Sequence, residues 1–165
     1  MAYTQAELQA KIALGADAIF RVAPPGAADA PPVAADYKEL CLSSEVTVGF
    51  ESQSITFANF CSRGQDVEIP TGATGTVDLS EMQWISDDAA LVIMENAARA
   101  NIDGTGSPVV YYEFLPAGTG VGKPVYRGTL LVKSWKIKAA AAGTVTVENP
   151  TIAAGGVPEK GELTA

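Results

Sequence analysis

Residues 125–147 read VYRGTLLVKSWKIKAAAAGTVTV, and this stretch decides the fold. Residues 126–138 are rich in β-branched and aromatic side chains, which suit a pleated, half-buried surface. They predict the longest strand of the chain. The alternation changes phase midway: Leu130 and Val132 share one face, Trp135 and Ile137 the other. Either both faces are buried along part of this strand, or a bulge shifts the register. The small-residue tract 139–143 reads as a loop. Residues 144–148 then restart as a strand, with Val145 and Val147 inward and Thr144, Thr146 and Glu148 outward. Asn149-Pro150 ends it, because proline cannot donate to a ladder.

Upstream of this stretch, Thr4-x-x-Glu7 has capping-box spacing and predicts a short helix over 5–14. Residues 23–36, APPGAADAPPVAAD, form a Pro/Ala-rich linker with nothing to bury. The chain therefore divides into an N-terminal segment and linker, 1–36, and a main body, 37–165. The segment is an arm reaching a neighbour or a docked terminus. Residues 39–48 contain a strand with Val46 and Val48 on one face, and 55–61 a second with Ile55, Phe57 and Cys61. Residues 62–66 break the pattern, 67–69 alternate briefly, and PTGATG at 70–75 reads as a loop. Residues 76–84 recover strand character, with Val77 and Leu79 on one face and Met82 and Trp84 on the other.

The best helix begins after Ser86, which can cap, with Asp87 and Asp88 at the positive end of its dipole. Ala90, Leu91, Met94, Ala97 and Ala98 form one helical stripe. Arg99 sits in the last turn, and residues 101–104 stop the helix. Residues 109–115 are a further strand, and the glycine-rich loop 116–123 leads back into the central stretch.

At 165 residues, one domain with a real core is the default. The chain is nearly half apolar with net charge −8, the composition of a globular protein. No stretch approaches the roughly 20 apolar residues of a membrane span, so no membrane insertion is expected. The start lacks a basic region followed by an apolar run, so synthesis in a cytoplasm is expected. Cys41 and Cys61 fit no metal spacing and read as two small buried hydrophobes. Charge is uneven. Residues 29–113 hold fourteen acids and three bases, whereas 123–138 hold five bases and no acid. Ordinary solvated faces explain this, or complementary surfaces that meet in an assembly.

Catalytic chemistry is hard to find. The chain has no histidine, which excludes histidine-based acid/base or metal sites. GTGVGK at 118–123 resembles a fragment of a phosphate-binding loop, but its spacing is GxxxGK, and Pro124 and a strand follow it instead of [ST] and a helix. Asp87-Asp88 is explained by a helix N-terminus, and Asp103-Gly104 lacks a calcium-ligand series. No nucleophile has a recognisable base beside it. Neither an enzyme nor a cofactor is expected.

The order of elements carries a resemblance. Strands, a long polar loop, a strand ending at Trp84 and one capped helix come first. Then follow YRGTLLVKSWKIK at 126–138 with its internal glycine, a small-residue loop, TVTV at 144–147, and TIAAGGVP at 151–158. Over about residues 40–158 the chain resembles the major tail tube protein of long-tailed bacteriophages. The resemblance implies a mainly β fold, two packed antiparallel sheets flanked by one α-helix. It implies a structural virion protein whose copies form stacked hexameric rings, a conduit for viral DNA that passes without specific binding. The implied partners are itself and tape-measure, terminator and distal tail proteins. The implied location is the virion tail, assembled in the bacterial cytoplasm. Arg63, Asp66, Glu68, Lys133, Lys136 and Lys138 are then candidate contacts between subunits. Glu39, Glu45, Glu51, Asp78 and Glu81 are candidate lumen carboxylates that keep the wall repellent to DNA. The loop 63–75 and the tail 149–165 are expected to order only against neighbours. Competing readings are another tube or connector protein, such as a tail terminator or contractile injection tube, and a monomeric ligand-binding β-sandwich. In the last, Tyr111, Tyr112 and Trp84 would form a platform, unless they pack in the core.

Overall fold

A computed structural model describes residues 17–27, 30–41, 43–58, 66–141 and 143–164. The helix expected at 5–14, Cys61 and Arg63 lie outside the described residues. The fold is mainly β, with one α-helix among the described residues and three antiparallel sheets around it.

The main sheet uses strands from both ends of the chain. These are β1 (Ile19–Ala23), β2 (Lys38–Glu39), β6 (Val109–Leu115), β7 (Pro124–Val132), β10 (Ile152–Ala154) and β11 (Glu159–Glu162). They lie in the order β10-β7-β6-β1-β2, with β11 beside β10 on the same edge of β7. β6 coincides with the strand expected at 109–115. β1 was not legible as a strand, yet Phe20 and Val22 are buried on the helix side. The linker that follows is not empty of burial, since Ala23 is fully buried and Ala34–Asp36 forms a turn of 3-10 helix.

β3 (Val46–Ala58) and β4 (Asp66–Leu79) form a long hairpin, and β5 (Met82–Gln83), β9 (Val145–Glu148) and β8 (Lys136–Ala139) form a small sheet in that order. The two strands expected at 39–48 and 55–61 are thus replaced by one continuous β3. The loop expected at 70–75 is strand: β4 runs through it, paired to β3 with a register shift between Gln53 and Ser54. Backbone pairing to β3 overrides the local turn chemistry of Pro70, Gly72 and Gly75.

The central stretch corrects the sequence reading most. The single strand expected at 126–138 is two strands in two sheets. At Lys133 and Ser134 the backbone N–H groups donate to the Thr151 carbonyl at 2.7 and 3.4 Å, and the Thr151 N–H donates to Ser134 Oγ. The chain turns this corner, and the change of phase between Val132 and Trp135 is the passage from one sheet to the next. In β9, Thr146 is buried rather than outward, with its hydroxyl donating to the Glu81 carboxylate. The tail 149–165 does not wait for a neighbour, because β10 and β11 complete the main sheet. Cys41 is exposed, not buried.

The helix α1 (Ala89–Asp103) is capped by Asp88 rather than Ser86: its carboxylate accepts the Leu91 N–H at 2.9 Å. Gly104, left-handed at φ 68°, closes the other end. The expected stripe is the buried one, with Ala100 added. Leu91 and Met94 pack against Phe20, Val22, Val110 and Leu130 of the main sheet, and the same core takes in Val77, Leu79, Met82 and Val147. Each fully buried side chain of this size contributes about 1.5–3 kcal/mol. One core therefore joins the helix and the three sheets.

Candidate assembly surface

At its base the hairpin is half core. Val46 faces Leu79 and Val48 faces Val77 across the ladder, on the side packed into the core. Over residues 47–53 and 72–78 the opposite face carries Thr47, Glu51 and Gln53 on β3 and Thr74, Thr76 and Asp78 on β4, with no base and no large apolar residue. Beyond Phe50 the described side chains of the arm are exposed on both faces, and no described residue of the body covers them. Phe50 is 63% exposed, and the facing pair Ile55 and Ile69 is 57% and 43% exposed. From Phe50 outward, nine β3 residues at about 3.3 Å each give an arm of ~30 Å. A two-stranded ribbon with apolar pairs in water is marginal by itself, and both of its edges carry unpaired backbone groups.

A second open edge lies on β8. Among the described residues it pairs only with β9, and all four of its residues are exposed. Lys136 and Lys138 occupy one face and Ile137 the other. Lys138 stands 3.9 Å from Glu148, whereas Lys133 and Lys136 form no ion pair among the described residues.

The main sheet carries a row of alternating charge that sequence reasoning missed. Glu39 on β2 faces Arg21 on β1, Arg21 faces Glu113 on β6, Glu113 faces Arg127 on β7, and Arg127 faces Glu159 on β11. Glu113 is buried. Arg127 Nε donates to its Oε1 at 2.7 Å, and Arg21 lies 4.0 Å from its other oxygen and 3.5 Å from Glu39. Opposite charges directly across a ladder favour one register over a slipped one. Beside this row an open groove of about 350 Å3 is lined by Pro31, Tyr37, Tyr111, Arg127 and Glu159 among others. Burial first, and the Glu113 carboxylate second, push the Tyr37 phenol up to about 12. Counting charges along the chain hid this row; only the strand register brings it together.

No protein-family model matches the sequence, and no curated protein matches it. Solved structures do. One is from the tail of an empty gene transfer agent particle with C6 symmetry: 12% identity, TM-score 0.57, covering 92% of this chain and 98% of that one. The virion of a native gene transfer agent particle gives 11% identity and the same TM-score, over 92% and 98%. The SPP1 tail tube gives 12% identity and a TM-score of 0.63, over 93% of this chain and 81% of that one. The chain has the tail-tube fold.

Within the tail-tube fold the expected site residues fall into separate places. Asp66 and Glu68 lie on the exposed part of β4, and the Glu68 carboxylate accepts from Ser54 Oγ. Lys133, Lys136 and Lys138 lie at the corner after β7 and on β8. Glu51 and Asp78 share the polar face of the hairpin. Glu39 belongs to the charge row, Glu45 precedes β3 with its N–H donating to Ser80 Oγ, and Glu81 is engaged by Thr146. Tyr111 and Tyr112 face opposite sides of β6: Tyr112 is 1% exposed and stacks on Phe20 at 5.6 Å, and Trp84 packs against the core. They form no aromatic platform. Among the described residues no group of acids or cysteines is arranged to hold a metal.

Proposed function

We propose that this chain is a tail tube subunit: six copies close a ring, rings stack, and the hollow bore conducts viral DNA during infection. The observation that carries this is the ~30 Å hairpin arm of β3 and β4, whose exposed apolar pair and open edges call for a neighbouring subunit. The C6 symmetry of a gene transfer agent tail with the same fold supports six as the ring number. Residues 37–165 form the tube domain, and β1, from the segment before the linker, completes its main sheet.

The polar hairpin face suits the bore. It presents Glu51 and Asp78 among threonines and no base. A wall that neutralised phosphates would hold the duplex, whereas a repelling wall lets it slide. Glu39, Glu45 and Glu81 lie outside this face, and the chain as a whole carries a net charge of −8. Structural work of this kind needs no catalytic group and no cofactor. Tape-measure, terminator and distal tail proteins would meet the tube at its bore and ends, in a virion tail assembled in the bacterial cytoplasm.

Negative-stain microscopy of the purified, concentrated protein tests the reading. Hollow tubes or six-membered rings are expected. A chain that stays monomeric at all concentrations overturns it.

A further inference from the structure

Two open strand edges on this chain are complementary to one another, and within one copy they do not meet. The first is β4 at residues 66–69, Asp-Val-Glu-Ile, where acids alternate with apolar residues. The second is β8, Lys-Ile-Lys-Ala, where bases alternate with apolar residues at the same spacing. Among the described residues each has a single strand neighbour, β3 and β9 respectively. We propose that residues 66–69 of one copy add as a strand to the free edge of β8 in a neighbouring copy. This rests on the tube reading and names the surfaces that join its subunits.

Several observations converge. Lysines on an edge strand normally discourage pairing with other chains. A partner strand with carboxylates at the same two-residue spacing turns that guard into selection, because it sets one carboxylate beside Lys136, which has no ion pair among the described residues, and a second beside Lys138, whose own partner Glu148 stands 3.9 Å away. The described residues of β3 and β4 hold four acids, Glu51, Asp66, Glu68 and Asp78, and no base. On the other face of β8, an open groove of about 240 Å3 runs between β8 and α1, lined by Glu95, Ala98, Arg99, Ile102, Trp135 and Ile137. Ile102 is 77% and Ile137 47% exposed there. A strand added to β8 lays its apolar side chains over this groove, which covers Ile69 together with Ile102 and Ile137. The groove also holds an unspent donor. Trp135 Nε1 is buried with no hydrogen-bond partner among the described residues, and an added strand brings acceptors beside it.

The test is a charge swap read by assembly. Lys136→Glu with Lys138→Glu should raise the concentration needed for tube formation at least tenfold, and so should Asp66→Lys with Glu68→Lys. All four changes in one chain should restore tubes. Thermal melting confirms that each variant is folded, as these exposed positions predict. In a Trp84→Phe background, fluorescence of Trp135 should shift on assembly of the unswapped protein and not in the double variants. Normal tubes from Lys136→Glu/Lys138→Glu overturn the docking and leave the tube reading standing. Loss without restoration in the fourfold variant overturns it too. A parent protein that never assembles removes the tube reading, and this inference with it.

Discussion

Replacing Glu113 by glutamine tests whether the charge row holds the main sheet. The change keeps the shape of the side chain and removes its charge. Arg127 Nε, now 2.7 Å from a carboxylate oxygen, and Arg21 on the next strand are left as like charges flanking a neutral amide. Removing one partner of a fully buried ion pair costs about 3–5 kcal/mol. Here Glu113 is 9% exposed at its side chain, but Arg21 is 21% and Arg127 43% exposed, so water screens part of the imbalance and about 2–3 kcal/mol is expected. At ~2–4 °C per kcal/mol for a chain of this size, the melting midpoint should fall by ~5–10 °C. Urea unfolding of Glu113→Gln, Arg127→Gln and the double variant provides the assay. The double variant should be less destabilised than the sum of the singles, by about 1–2 kcal/mol of coupling. A Glu113→Gln protein that melts within about 1 °C of the parent would refute the reasoning, since a shift that small means the row contributes almost nothing.

The other predictions concern the core, a close approach and two phenols. Leu91→Asp puts an unpaired charge where α1 meets the main sheet and should cost about 4 kcal/mol or more; unchanged solubility and melting would show that this stripe does not carry the packing. Gly75→Ala drives a methyl into the Gly156 carbonyl oxygen, so the base of the hairpin must part from the C-terminal segment, at about 1–3 kcal/mol. A parent-like urea midpoint for that variant contradicts the contact. Tyr37 is held up to about 12 and Tyr112 is raised by burial, from a free value of 10.0. Their neutral forms favour the fold, so this stability is fully present below pH 10 and lost as pH rises toward 12. Absorbance titration should show late-ionising tyrosines, one fewer in Tyr37→Phe; simultaneous ionisation of all five near 10 would count against it.

The helix was legible because its signal is local: one apolar stripe, an acidic start and a glycine stop fix α1 within a few residues. The strand 109–115 was equally clear from β-branched and aromatic residues at five of its seven positions. What stayed hidden depends on pairing. Residues 70–75 have every local mark of a loop, yet lie within β4 because β3 pairs with them. Residues 126–138 have the composition of one strand, and only the hydrogen bonds of Thr151 show that the chain turns a corner at Lys133 and Ser134. Residues 149–165 looked too polar and small to be ordered, but a strand edge on β7 needs backbone partners more than side chains. The charge row was invisible for the same reason, since Arg21, Glu113 and Arg127 are far apart in sequence and meet through register. Of the candidate contact residues, Asp66, Glu68, Lys136 and Lys138 stood out by charge alone. Their alternation with apolar residues on two open edges emerged only with the strands in place.

Cryo-electron microscopy of the assembled protein, with helical reconstruction, addresses the central claim most directly. It should show six subunits per ring, a continuous hollow bore lined by a net acidic surface, and the β3–β4 arm of each subunit seated on a neighbour. A solid filament, a bore lined mainly by lysine and arginine, or arms left free in solvent would contradict the account.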